Sequence, residues 1–126
     1  MSYRKVNYEE VEQVSDAMHL LSEPLGCRQV GVTFSRCPPN WNSKPHDHTG
    51  DDHEEVYVLV RGTAEVRVDD ESVPVEEGDA VWIAPEAERQ IRNGDEESAF
   101  VLISAPEFDS GEADDDDTWS LTGFQG

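Results

Sequence analysis

Three of the chain's four histidines, His46, His48 and His53, fall within one short stretch, and a carboxylate, Glu55, follows closely. Imidazole nitrogens and carboxylate oxygens are the donors that bind Zn, Fe, Mn, Ni or Cu. Read as an extended segment, Lys44 to His48 puts His46 and His48 two positions apart and on one side of the chain. The apolar run that follows has the same period, so Glu55, Tyr57 and Leu59 share a face that points to the interior. A carboxylate buried there is costly unless it is paired or bound to a metal. His53 lies two residues before Glu55 and reaches the same site if the strand starts early. The plainer reading makes the histidines decoration of a polar loop, and their concentration beside Glu55 speaks against it. His46, His48 and Glu55 are therefore the expected ligands of a divalent transition metal, with His53 as a candidate fourth.

These residues need elements to hold them. Residues 8–23 give the one helical pattern, from Val11, Val14 and Met18, although the β-branched residues and Ser15 also suit an edge strand. From Cys27 onward the pattern is β. Gln29 to Ser35 alternates, with Val30, Val32 and Phe34 on one face. Further strands are expected at Val56–Val60, Ala64–Val68, Ser72–Val75, Ala80–Ala84, Arg89–Arg92 and Ala99–Ser104. The turns between them carry Gly62, Asp69-Asp70, Gly78 and Asn93-Gly94. Many short strands punctuated in this way form a sandwich or barrel. Val56 to Val60 is apolar on both faces, which a strand exposed to water on one side should not be. Its outer face is expected to be covered by the N-terminal segment or by a second copy, so a homodimer is predicted. Three regions follow: an N-terminal segment 1–27, a barrel 28–105, and an acidic tail 106–126. The tail has the run Asp114 to Asp117 and then Trp119, Leu121 and Phe124, a frayed end or a strap on the barrel or a partner.

The histidine pair and the glycine-punctuated strands resemble the cupin superfamily. Its first motif is similar to His46-Asp47-His48, a gap, then Glu55, six residues, and Gly62. The gap of six residues between His48 and Glu55 exceeds the usual three or four, and Thr49 to Asp52 is expected to absorb the excess as a longer loop. The second motif resembles Gly78-Asp79 through Pro85 to Asn93. Here the family's metal-binding histidine is replaced by Arg89 and its glycine by Glu86. The resemblance implies an all-β fold, the double-stranded β-helix or jelly-roll barrel, with a divalent metal (Fe, Mn, Ni, Cu or Zn) inside it. Arginine stays protonated and cannot ligate a metal. Arg89 shares a face with Ile91 and should point inward, where either Glu55 or an anionic substrate would pair with it. Pairing with Glu55 alone would leave a ligand-binding barrel without metal. Tyr57 is a candidate hydrogen-bond donor to substrate, and Trp82 a candidate pocket wall, with core packing the alternative for both.

Composition narrows the partners. Asp and Glu number 29 against 9 Lys and Arg, a formal net charge of −20. Such a surface repels nucleic acid and anionic membrane, and neither is expected as a partner. No run of about 20 apolar residues exists to span a membrane, nor is there an apolar signal core at the N-terminus. A cytoplasmic protein is expected. Its two cysteines, Cys27 and Cys37, match no zinc or redox spacing and read as packing residues. The acid excess resembles that of proteins from organisms that accumulate salt, and predicts stability that rises with salt. The chain is thus expected to bind or transform a small molecule at a metal, as a dioxygenase or isomerase would. A non-catalytic ligand-binding barrel and a purely structural dimeric barrel are the other classes. No residue stands out as a dedicated acid or base.

Overall fold

A computed structural model describes residues 2–106. Among these described residues nine strands run in the order β1 (Gln13–Val14), β2 (Met18–Leu20), β3 (Gly31–Cys37), β4 (Glu54–Arg61), β5 (Thr63–Val68), β6 (Glu71–Glu76), β7 (Ala80–Ile83), β8 (Arg89–Asn93) and β9 (Ser98–Ala105). They form two facing sheets, one ordered β1-β2-β3-β9-β4-β7 and the other β6-β5-β8. All pairings are antiparallel. Together they make the expected all-β jelly roll. No helix among the described residues is long and apolar enough to cross a membrane. The expectations for residues 107–126, including Trp119, Leu121 and Phe124, lie outside the described residues.

Strand alternation builds the core between the sheets. Tyr57 and Leu59 of β4, Phe100 and Leu102 of β9, Cys37 of β3 and Ile83 of β7 meet Val66, Val75 and Ile91 of the smaller sheet. Burial pushes the Cys37 thiol pKa up, partly offset by a hydrogen bond with Ser35. Both cysteines are free, and Cys37 packs in the core as expected. The connections use backbone that few residues adopt. Gly62, with φ of +81°, turns β4 into β5 at a place where a Cβ would lie 2.8 Å from the Glu97 carbonyl. Asp69 takes positive φ in the tight β5–β6 hairpin.

Residues 8–23 take the edge-strand alternative and not the helix. Only a 3-10 turn at Tyr8–Glu10 and one helical turn, α1 (Ser22–Leu25), occur there. Between them β1 and β2 form a hairpin that extends β3. Ser15 and Asp16 both have positive φ, which closes the hairpin and forbids a continuous helix. The free edge of β3 supplies hydrogen bonds that an isolated amphipathic turn lacks. In β3, Val32 and Phe34 share the outer face, and Phe34 stacks under Tyr8 with ring centroids 4.3 Å apart. The opposite positions Ser35 and Cys37 are the buried ones.

Candidate metal centre

The polar stretch before β4 is pinned along β8. Ser43 accepts the Ile91 backbone N–H through its hydroxyl and donates its own N–H to the Ile91 carbonyl. His46 pairs with Arg89 through reciprocal backbone hydrogen bonds of 3.1 and 2.8 Å. The His48 N–H then donates to the Pro85 carbonyl. Beyond it, the N–H groups of Asp51 and Asp52 fold back onto the His48 carbonyl, and Asp52 takes positive φ. That closed turn takes up the long gap before β4.

His46, His48 and Glu55 converge, with one ligand atom from each lying within 4.8 Å of the others. His46 Nε2 is 3.8 Å from Glu55 Oε1, and His48 Nε2 is 3.3 Å from Oε2. The far nitrogen of each ring is already engaged. His48 Nδ1 donates to the Asp51 carboxylate at 3.0 Å, and His46 Nδ1 to the Lys44 carbonyl at 3.3 Å. In the neutral tautomer with the proton on Nδ1, each Nε2 presents a lone pair on the side of the carboxylate. His48 Nε2 is buried, and no hydrogen bond reaches it. Imidazole nitrogens facing a carboxylate are satisfied by a proton on an Nε2 or by a cation held between them. A divalent metal fits this donor set.

Glu55 is held from behind. Arg89, with no side-chain exposure, donates to Glu55 Oε1 at 2.5 Å. It also donates to the carbonyls of Ala84 at 2.6 Å and Ala87 at 3.1 Å. The Tyr57 hydroxyl also donates to Oε1, at 3.1 Å. Burial disfavours the Glu55 carboxylate, yet the hydrogen bonds of His46 and Arg89 and the charge of Arg89 outweigh it and hold the pKa at about 2. Burial and then the Glu55 charge raise the Tyr57 pKa, so its hydroxyl stays protonated as a donor. The hydrogen bond to Glu55 raises the His46 pKa, against desolvation.

The other candidates sit as follows. The His53 ring lies beside His48 with centroids 5.9 Å apart, outside the three converging donors. Arg89 points inward, as its alternation with Ile91 predicts, but it faces Glu55 and the loop carbonyls rather than open space. Trp82 is not a core residue and does not line the cavity beside His46, His48 and Glu55. It shares the outer face of its sheet with its partner Val56, is 62% exposed, and donates to Glu54. Strand period explains this, since Ile83 occupies the buried phase of β7. Trp41 packs at the edge of the core and donates to the Ser15 carbonyl. Sequence reasoning missed Asp51. Its only signal is a carboxylate three residues after His48 in a turn.

Comparison with known proteins agrees with this architecture. The family model of the Cupin domain matches residues 33–105. A cupin protein from Bacteroides fragilis is similar in structure, with TM-score 0.71, 23% identity and 90% of each chain covered. A predicted oxalate decarboxylase from Thermotoga maritima has TM-score 0.69 and 19% identity, covering 82% of this chain and 100% of that one. A sugar phosphate isomerase of the cupin superfamily from Silicibacter pomeroyi has TM-score 0.67 and 19% identity, covering 82% and 76%. These likenesses are of fold. A comparison with curated proteins finds no match.

Proposed function

This chain belongs to the cupin family, and on that footing we propose that it binds a divalent transition metal through His46, His48 and Glu55 and there binds or transforms a small molecule. The observation that carries the reading is the buried, unpartnered His48 Nε2, aimed with His46 Nε2 at a charged carboxylate. The metal, when bound, supplies a Lewis acid and open positions for substrate or oxygen. The chain's own residues do the rest. Asp51 and the Lys44 carbonyl fix the imidazole tautomers, while Arg89 and Tyr57 hold Glu55 Oε1 so that Oε2 faces His48. His53 walls the site beside His48.

A second reading has one observation in its favour. Arg89 already pairs with Glu55, so a barrel that binds a ligand without metal would keep its carboxylate compensated. Calorimetric titration of the metal-stripped protein with Mn, Fe, Co, Ni and Zn ions separates the two. The metal reading expects one ion per chain, lost in the His46→Ala/His48→Ala variant. Absence of uptake by wild type would favour the metal-free barrel.

We also propose that two copies associate through the outer face of the larger sheet. Val56, Val58, Val101 and Ile103 lie on it only half-buried, with Val60 and Trp82 exposed beside them, and among the described residues Tyr8 covers the Phe34 corner.

A further inference from the structure

We propose that the cavity beside His46, His48 and Glu55 takes a small ligand with an apolar body and two adjacent oxygen donors, in preference to phosphorylated or polycarboxylate molecules. This rests on the metal reading and narrows its ligand class. The cavity has a volume of about 380 Å³ and opens between β2, β3 and β9, enough for a compact ligand of ring size. Its walls are Met18, Leu20, Tyr57 and Leu102, with the hydroxyls of Thr33 and Ser104 among them.

The charge around the cavity decides against multiply anionic ligands. Among the described residues that line it there is no lysine or arginine, and its charged groups besides the histidines are the carboxylates Glu23 and Glu55. Arg89 lies behind Glu55, has no exposure, and donates to Glu55 and to the carbonyls of residues 84 and 87. Residues 107–126 contain neither lysine nor arginine. A phosphate or tricarboxylate entering this cavity would meet the metal alone, inside a chain of net charge −20.

The donor set decides for two oxygens. Arg89 and Tyr57 both donate to Glu55 Oε1, while Oε2 receives neither and lies 3.3 Å from His48 Nε2. Three single-point protein donors leave open positions on a first-row ion, as in other two-histidine, one-carboxylate sites. A ligand with two neighbouring oxygens fills two of them at once. Its carbon body then lies against Met18, Leu20 and Leu102.

Catechol, inorganic phosphate and citrate are suitable probes for calorimetry and visible spectroscopy on iron-loaded protein. Catechol should bind at least tenfold more tightly than phosphate or citrate and give a new visible band only when metal is present. Leu20→Glu, at the half-exposed lip, should weaken catechol at least tenfold with metal content unchanged. Phosphate or citrate displacing catechol at equal concentration, or catechol binding unaffected by Leu20→Glu, would overturn the ligand class. Metal uptake without catechol binding would also overturn the ligand class and leave the metal reading standing. No metal uptake would overturn both.

Discussion

Arg89 stands where a fully buried cation is tolerated only because every direction around it is filled: a carboxylate on one side, loop carbonyls on the other. Removing one member of such a pair leaves the other charge buried and uncompensated. Arg89→Met should destabilise the metal-free protein by about 3–5 kcal/mol, measured by urea unfolding, and a loss below about 1 kcal/mol would show that Glu55 finds solvent or the histidines instead. Asp51 acts one step further out, through the His48 tautomer. Asp51→Ala should weaken metal binding by about 10–100-fold, and unchanged affinity would remove Asp51 from the site. At this scale the clustering of His46, His48 and Glu55 was legible, because histidines two apart and a carboxylate in phase with buried Tyr57 and Leu59 follow directly from strand geometry. The inward Arg89 was legible for the same reason. Asp51 was not, because a turn has no period, and its contact with His48 depends on backbone closure onto the His48 carbonyl.

The strands from β4 to β9 were legible to within one or two residues, since each lies between turn residues whose backbone needs can be read directly. Gly62 is the clearest case. Its positive φ and the nearby Glu97 carbonyl leave no room for a side chain. Gly62→Ala should cost more than about 1 kcal/mol in chemical denaturation, and a neutral effect would mean that the β4–β5 turn is plastic. The N-terminal hairpin was harder. Val11, Val14 and Met18 have helical spacing, but Ser15 and Asp16 adopt left-handed backbone that only the tertiary pairing of β2 with β3 rewards. The outward phase of Val32 and Phe34 was hidden too, because apolar residues fill both faces of this sheet and alternation alone does not say which face is the interior.

Across the whole molecule, charge and apolar surface pull in opposite directions. Two copies each of net charge −20 repel, while the half-covered valines and Trp82 favour contact. Salt shortens the range of repulsion to about 3 Å at 1 M. The melting temperature should therefore rise between low and molar KCl, and a flat or falling trend would contradict the reading of the acid excess. Sedimentation should find a dimer in high salt and a monomer for Val58→Glu/Trp82→Glu. A wild-type monomer at every salt concentration would show that the outer face is simply tolerated apolar surface.

The account turns on whether an ion sits between two imidazoles and one carboxylate. An anomalous-difference map, from crystals of protein soaked in the preferred metal and measured at that metal's absorption edge, addresses this directly. A single peak between His46 Nε2, His48 Nε2 and Glu55 Oε2, absent from crystals of the His46→Ala/His48→Ala variant, is the predicted result. No peak there, with Arg89 still closed on Glu55, would contradict it.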